Sequence, residues 1–196
     1  MRKRTIGFFG VVVIVVAATL AGFTMLTPSR QSVGVAAVGG PFTLTGTAGQ
    51  TVTEKDLLGK PSAIFFGFTY CPEVCPTTLS EFTSLAKQLG KDADKINFVF
   101  ISVDSARDGP KEMKQYLTSF GDRIIGLTGT EDQIKAVAKA FSIYYKRVPV
   151  EGDEYTMDHT ASVILMDSRG RFFGTIAYEE AMSMSLTKLK RLVSEG

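Results

Sequence analysis

The chain has 196 residues, 44% of them hydrophobic and 21% charged, with a formal net charge of +2. Removing Arg2, Lys3 and Arg4 from the 22 basic residues leaves 19 against 20 acidic ones, so the remainder is close to neutral. It has no basic cluster that could track a phosphate backbone, which argues against nucleic-acid binding, and the length fits one globular domain with a segment to spare.

The spare segment comes first. Arg2-Lys3-Arg4 precedes an uncharged apolar run from Ile6 to Leu26, about the length a helix needs to cross a bilayer. The flanking charge predicts a cytoplasmic N-terminus and an exported remainder. Residues 1–28 therefore read as a basic tip and a transmembrane anchor. A cleaved signal peptide is the rival reading: its apolar core is usually shorter, but Ala17, Ala18, Ala21 and Gly22 offer a cleavage site. Residues 29–40 are small and weakly polar and read as a linker that gives reach. The domain is expected over 41–196.

Phe42 to Leu44 and Gln50 to Val52 flank a turn at Gly46 to Gly49, a hairpin pattern. Thr53 caps a short helix through Leu58. Ser62 to Phe68 is almost continuously apolar, as in a strand buried on both faces. After a loop, Leu79, Phe82, Leu85, Ala86 and Leu89 share one face of a helix starting at Pro76. Ile96 to Val103 is a second buried strand, and Pro110 opens a helix to about Phe120. Ile124 to Leu127 reads as a short strand. Thr130 and Gln133 form a capping box for a helix to Phe141. Tyr144 to Arg147 and Tyr155 to Met157 can pair around a longer loop. Ser162 to Met166 and Arg171 to Ile176 form a hairpin. A last helix runs from about Ala181 to Val193, with Met184, Leu186, Leu189 and Val193 facing in. Early alternation followed by a late hairpin predicts an α/β, thioredoxin-like fold: a central mixed sheet flanked by helices, plus an N-terminal β-hairpin.

The chemistry-bearing residues are few. Cys71 and Cys75 are the only cysteines and His159 the only histidine. The cysteines sit between the first buried strand and the first long helix. Each precedes a proline, which discourages helix, so neither is expected in regular helix. Pro76 suits the first helical position. Cys75 would then lie at the cap, where the helix dipole favours thiolate. Three residues separate the cysteines, a wider loop than Cys-x-x-Cys. The pair can close as a disulfide or hold a metal. Two cysteines are too few for an iron–sulfur cluster, and structural zinc would have to recruit a carboxylate. Two sulfurs and one nitrogen suit copper best. Plain alternatives stand beside this: a structural disulfide for the cysteines, and a surface or hydrogen-bonded role for His159.

The stretch Phe66-Gly67-Phe68-Thr69-Tyr70-Cys71-Pro72-Glu73-Val74-Cys75-Pro76 resembles the signature loop of the Sco/SenC family. Val103-Asp104 with Arg107-Asp108 resembles its second motif, and Asp158-His159-Thr160 followed by Ile164-Leu165-Met166-Asp167 its third. Glu73 stands where aspartate is commoner, and Ser105-Ala106 replaces a more usual Pro-Glu. The resemblance implies a thioredoxin-like copper protein of the bacterial inner membrane, single-pass, facing the periplasm or the equivalent extracytoplasmic side. It implies copper, Cu(I) or Cu(II), held by Cys71, Cys75 and His159. It implies work on the binuclear copper (CuA) centre of cytochrome c oxidase subunit II, with an upstream copper donor protein. The task is copper delivery, thiol–disulfide reduction of that subunit through Cys71 and Cys75, or both. Asp104 and Asp158 are given supporting or loop-positioning roles. Thioredoxin-like reductases carry a proline where Asp158-His159-Thr160 stands, which favours metal. Met157 is expected to pack rather than ligate. Tyr144 to Arg147 can be a docking surface or a solvated strand edge.

Overall fold

The computed structural model describes residues 38–152 and 154–196. The expected anchor, residues 1–28, and most of the expected linker lie outside the described residues. Among the described residues no helix is long and apolar enough to cross a membrane.

Among the described residues, nine strands and four α-helices follow in order: β1 Thr43–Gly46, β2 Thr51–Thr53, β3 Ser62–Gly67, α1 Val74–Leu89, β4 Asn97–Ser102, α2 Pro110–Leu117, β5 Ile124–Thr128, α3 Glu131–Ala140, β6 Tyr145–Pro149, β7 Tyr155–His159, β8 Val163–Met166, β9 Phe172–Ile176 and α4 Met182–Glu195. Seven strands form one sheet in the order β2-β1-β5-β4-β3-β8-β9. β3, β4 and β5 run parallel; β8 and β9 return antiparallel on one side, and β1 and β2 on the other. This is the mixed, thioredoxin-like sheet that the alternation predicts. β6 and β7 form a separate antiparallel ribbon.

All six residues of β3 are buried. Phe65 stacks on Phe100 of β4 on one face, while Phe66 meets Phe141 beyond α3 on the other. A strand covered on both sides needs no polar alternation, which is why the run is continuous. α1 seats Phe82 against Phe98, 5.2 Å between ring centroids, and stops at Gly90, whose φ of +60° suits a glycine. Thr130 Oγ1 accepts from the Gln133 N–H and Gln133 Oε1 from the Thr130 N–H, the reciprocal cap expected for α3.

Three details differ from expectation. α1 begins at Val74 rather than Pro76, so Cys75 lies inside the helix. Proline's effect on the residue before it is a bias rather than a bar, and Pro76 itself sits in the first turn, where its missing N–H has no intrahelical partner to lose. Met184 faces solvent, 54% exposed, instead of facing in. The helix is phased by Ser185, Leu189 and Leu192, all buried, which puts Met184 about 100° off that line. Thr53 caps a 3₁₀ turn, Glu54–Leu57, rather than an α-helix.

Candidate metal centre

β3 delivers the chain into the cysteine loop, and the loop is fixed from below. Asp108, fully buried between β4 and α2, accepts three hydrogen bonds: from the Thr69 N–H at 2.9 Å, Thr69 Oγ1 at 2.6 Å and Ser102 Oγ at 2.6 Å. Its own carbonyl accepts from Thr128 Oγ1 at 2.5 Å. One residue thus joins the ends of three parallel strands beneath the loop. Burial pushes the Asp108 carboxyl upward, against the hydrogen bonds that pull it down. The Cys71 N–H donates to the Phe68 carbonyl at 3.3 Å, closing a turn.

The first turn of α1 is capped by sulfur. Glu73, the cap residue, makes no side-chain capping bond. The Cys75 N–H instead donates to Cys71 Sγ at 3.3 Å, and the Thr77 N–H makes a helical bond to the Glu73 carbonyl. Cys71 Sγ therefore sits where a helix N-terminus favours negative charge. Cys75 is fully buried, and its Sγ fills the space above Gly67, where a Cβ would lie 2.6 Å from it.

His159 ends β7. Its Nδ1 lies 3.0 Å from the Thr160 carbonyl and its Nε2 3.6 Å from Cys75 Sγ. A carbonyl only accepts, so Nδ1 carries a proton, and Nε2 is the ring nitrogen turned to the sulfurs. Phe65 and Phe68 stand edge-on to the imidazole, at 6.0 and 5.8 Å between centroids. Donor atoms of Cys71, Cys75 and His159 all lie within 4.8 Å of one another. Three donors around one ion need about 4 Å between them, so the set has the right span. Two soft sulfurs and one imidazole nitrogen fit copper, with Phe65, Phe68 and Met157 as an apolar wall. Met157 is buried in the core, as expected of a packing residue.

The two thiols are unequal. The Cys75 thiol donates to Cys71, and with smaller help from His159 this pulls the Cys71 thiol down to about 4, against the upward push of burial. The same hydrogen bond, burial and the neighbouring thiolate push Cys75 up. Cys71 is the half-exposed thiolate and Cys75 the buried thiol. In the reduced, metal-free protein, iodoacetamide is expected to modify Cys71 alone, at a rate flat from pH 8 to about 5 and halved near 4. Mass spectrometry across that range checks it. A midpoint near 8.5, the ordinary thiol value, would show that the asymmetry is absent.

The remaining motif residues separate. Asp104 is buried: its carboxylate accepts from Arg107 Nε at 2.5 Å and from the Tyr155 hydroxyl at 2.8 Å. Asp158 is exposed in β7, opposite Lys146. Sequence reasoning gave no role to Asp108 or Tyr155. Arg107-Asp108 lay in a recognised motif, and period-two spacing puts Tyr155, Met157 and His159 on one strand face, so a signal existed for both.

A family model described as SCO1/SenC matches residues 30–194. The mitochondrial protein SCO2 of Saccharomyces cerevisiae is 38% identical over 168 residues, covering 84% of this chain and 56% of that protein. Protein SenC of Rhodobacter capsulatus is 41% identical over 135 residues, covering 68% of this chain and 61% of that protein. The chain thus spans little more than half the length of these relatives. Among solved structures, Bradyrhizobium japonicum ScoI with copper bound superposes with a TM-score of 0.75 at 47% identity, covering 80% of this chain and 99% of that one.

Proposed function

The chain belongs to the SCO1/SenC family, and from that premise we propose that it is a membrane-anchored copper metallochaperone that helps assemble the binuclear copper centre of cytochrome c oxidase subunit II. The observation that carries the reading is the convergence of Cys71, Cys75 and His159 donors within 4.8 Å. Residues 1–28 anchor the protein, and the domain works on the periplasmic face, loaded by an upstream copper donor protein.

Copper is the cargo. Binding displaces the proton of Cys75, so that both sulfurs coordinate, and the Nε2 lone pair of His159 completes the set. Cys71 is the ligand within a partner's reach, because Cys75 is buried. An incoming thiolate replaces Cys71 first while Cys75 and His159 still hold the ion, and further partner ligands then replace these two as the ion leaves.

The inequality of the thiols favours a second reading, thiol–disulfide reduction. The Cys71 thiolate attacks a disulfide of subunit II, forming a mixed disulfide and releasing one partner thiolate. Cys75 then loses its proton and attacks Cys71 Sγ, releasing the second partner sulfur. The partner gains two electrons as this pair is oxidised to the disulfide.

The two readings part at His159. The full chain in detergent, reduced and untagged, is titrated with Cu(I) against a competing chelator. One copper per chain is expected, weakened by about 100-fold or more in His159→Ala, since even a partner supporting a ligand is worth 10–100-fold. Little copper, with rapid reduction of a subunit II disulfide in both proteins, would favour the reductase.

A further inference from the structure

The cysteines and His159 stand on different parts of the fold. The cysteines follow β3 of the seven-stranded sheet, whereas His159 ends the separate β6–β7 ribbon. Among the described residues, three hydrogen-bond contacts join the β6 and β7 strands to residues distant in the chain. One is Cys75 Sγ to His159 Nε2, within the site itself. The other two hold Tyr155. Arg107 Nη1 donates to the Tyr155 carbonyl at 2.9 Å, and the Tyr155 hydroxyl donates to Asp104 Oδ1 at 2.8 Å.

The grip is built as one unit. Arg107 Nε donates to the other Asp104 oxygen at 2.5 Å, so one carboxylate ties the arginine and the tyrosine together. The guanidinium lies 3.7 Å from the Tyr155 ring centroid and 4.7 Å from that of Tyr70, the residue before Cys71. Its Nη2 is buried with no partner among the described residues, its other nitrogens being engaged in this grip. The Asp104 N–H donates to Ser102 Oγ, which donates to Asp108, the residue under the cysteine loop. A continuous chain of contacts therefore runs from the loop to Tyr155. From Tyr155 to His159 is four residues of one strand, about 13 Å. A paired strand is stiff over that length, so a shift at Tyr155 reaches the imidazole.

We propose that Tyr155 is a positioning residue for His159: held by Asp104 and Arg107, it sets where the imidazole stands relative to Cys71 and Cys75. This rests on the copper reading above. The clamp decides whether the third donor is in place, and so how tightly the ion is kept.

The test is a double-mutant cycle on the full chain in detergent, with Tyr155→Ala, His159→Ala and the pair, and with Tyr155→Phe, which keeps the ring stack and loses only the hydroxyl bond. Tyr155→Ala is expected to lower copper affinity about tenfold, with Tyr155→Phe between it and the parent. In the His159→Ala background the same change is expected to cost less than about twofold, because nothing is left to position. Nitrogen hyperfine splitting from the imidazole in the Cu(II) spectrum should weaken in Tyr155→Ala. In the metal-free protein, the His159 ring signals should broaden or shift in nuclear magnetic resonance. Equal loss of affinity in both backgrounds would make Tyr155 merely structural and overturn the proposal, as would unchanged ring signals. If His159→Ala binds copper as tightly as the parent, the ligand set has failed, and the metal-free ring signals still decide the role of Tyr155. Should Tyr155→Ala not fold, Tyr155→Phe carries the cycle.

Discussion

Cys75→Ala is expected to lose tight copper binding and, at the same time, to make Cys71 an ordinary thiol. The first loss follows from ligand count. Removing a sulfur should cost more than removing a supporting partner, so more than about 100-fold in affinity. The second follows from the hydrogen bond. Cys71 is held at about 4 chiefly by the proton that Cys75 donates to it. Without that donor, burial works unopposed by the largest favourable contact, and the alkylation midpoint of Cys71 should climb by several pH units. The sign is fixed, because the thiolate reacts and exists only above the midpoint: between the old and new values the variant alkylates more slowly than the parent. Cys75→Ser separates the two roles. Its hydroxyl can still donate to Cys71 Sγ, so the midpoint should stay low although copper is lost. Cys75 is fully buried, so Cys75→Ala also leaves a small void beside Gly67, costing on the order of 1 kcal/mol. A Cys75→Ala protein that binds copper like the parent, or still alkylates with a midpoint near 4, would contradict the site described above.

The central sheet and the candidate donor residues could be read early, because they rest on local signals. β3 and β4 announced themselves as apolar runs, since each is covered on both faces. Two cysteines and one histidine were conspicuous because there were no others to choose from. What escaped depends on contacts between distant residues. Asp108 meets Thr69 across 39 residues, and Tyr155 meets Asp104 across 51. The motif and the strand period mark Asp108 and Tyr155 as residues, but no local pattern says that the aspartate will fasten the end of β3, or that an arginine will close on the ribbon tyrosine. The start of α1 escaped for a related reason. The cap is the sulfur of Cys71, and whether a sulfur reaches back to a helix N–H depends on the path of the loop. In α4 the apolar residues alone suggested a wider buried face. Buried Ser185, whose hydroxyl bonds back to the Ala181 carbonyl, shows how packing set the phase instead.

Gly67→Ala should be the most damaging single methyl group that can be added near the site. The reason is space, not backbone conformation. The new Cβ would stand 2.6 Å from Cys75 Sγ, 2.7 Å from Phe100 Cε2 and 3.2 Å from Phe65 Cε1. None of these can step aside cheaply: Cys75, Phe100 and Phe65 are each fully buried, and Phe65 and Phe100 are stacked on each other. Overpacking of this kind costs about 1–3 kcal/mol, and the upper end is expected where three packed neighbours must move together. For a domain of this size that lowers Tm by roughly 6–12 °C. The relief of strain also has a direction. The sulfur is the neighbour held by one rotatable bond, so Cys75 Sγ should move away from β3 and spoil the donor set, weakening copper binding beyond what lost stability explains. Gly174→Ala is the control, since a Cβ there meets nothing within 4 Å and no left-handed backbone is involved; its Tm and copper affinity should match the parent. Melting and Cu(I) competition on both variants decide the matter. If Gly67→Ala melts with Gly174→Ala and binds copper equally well, then Cys75 does not rest on Gly67, and the floor assigned to this centre is wrong. If it melts low but, measured well below its Tm, binds copper normally, the sulfur held its place and the sheet moved instead.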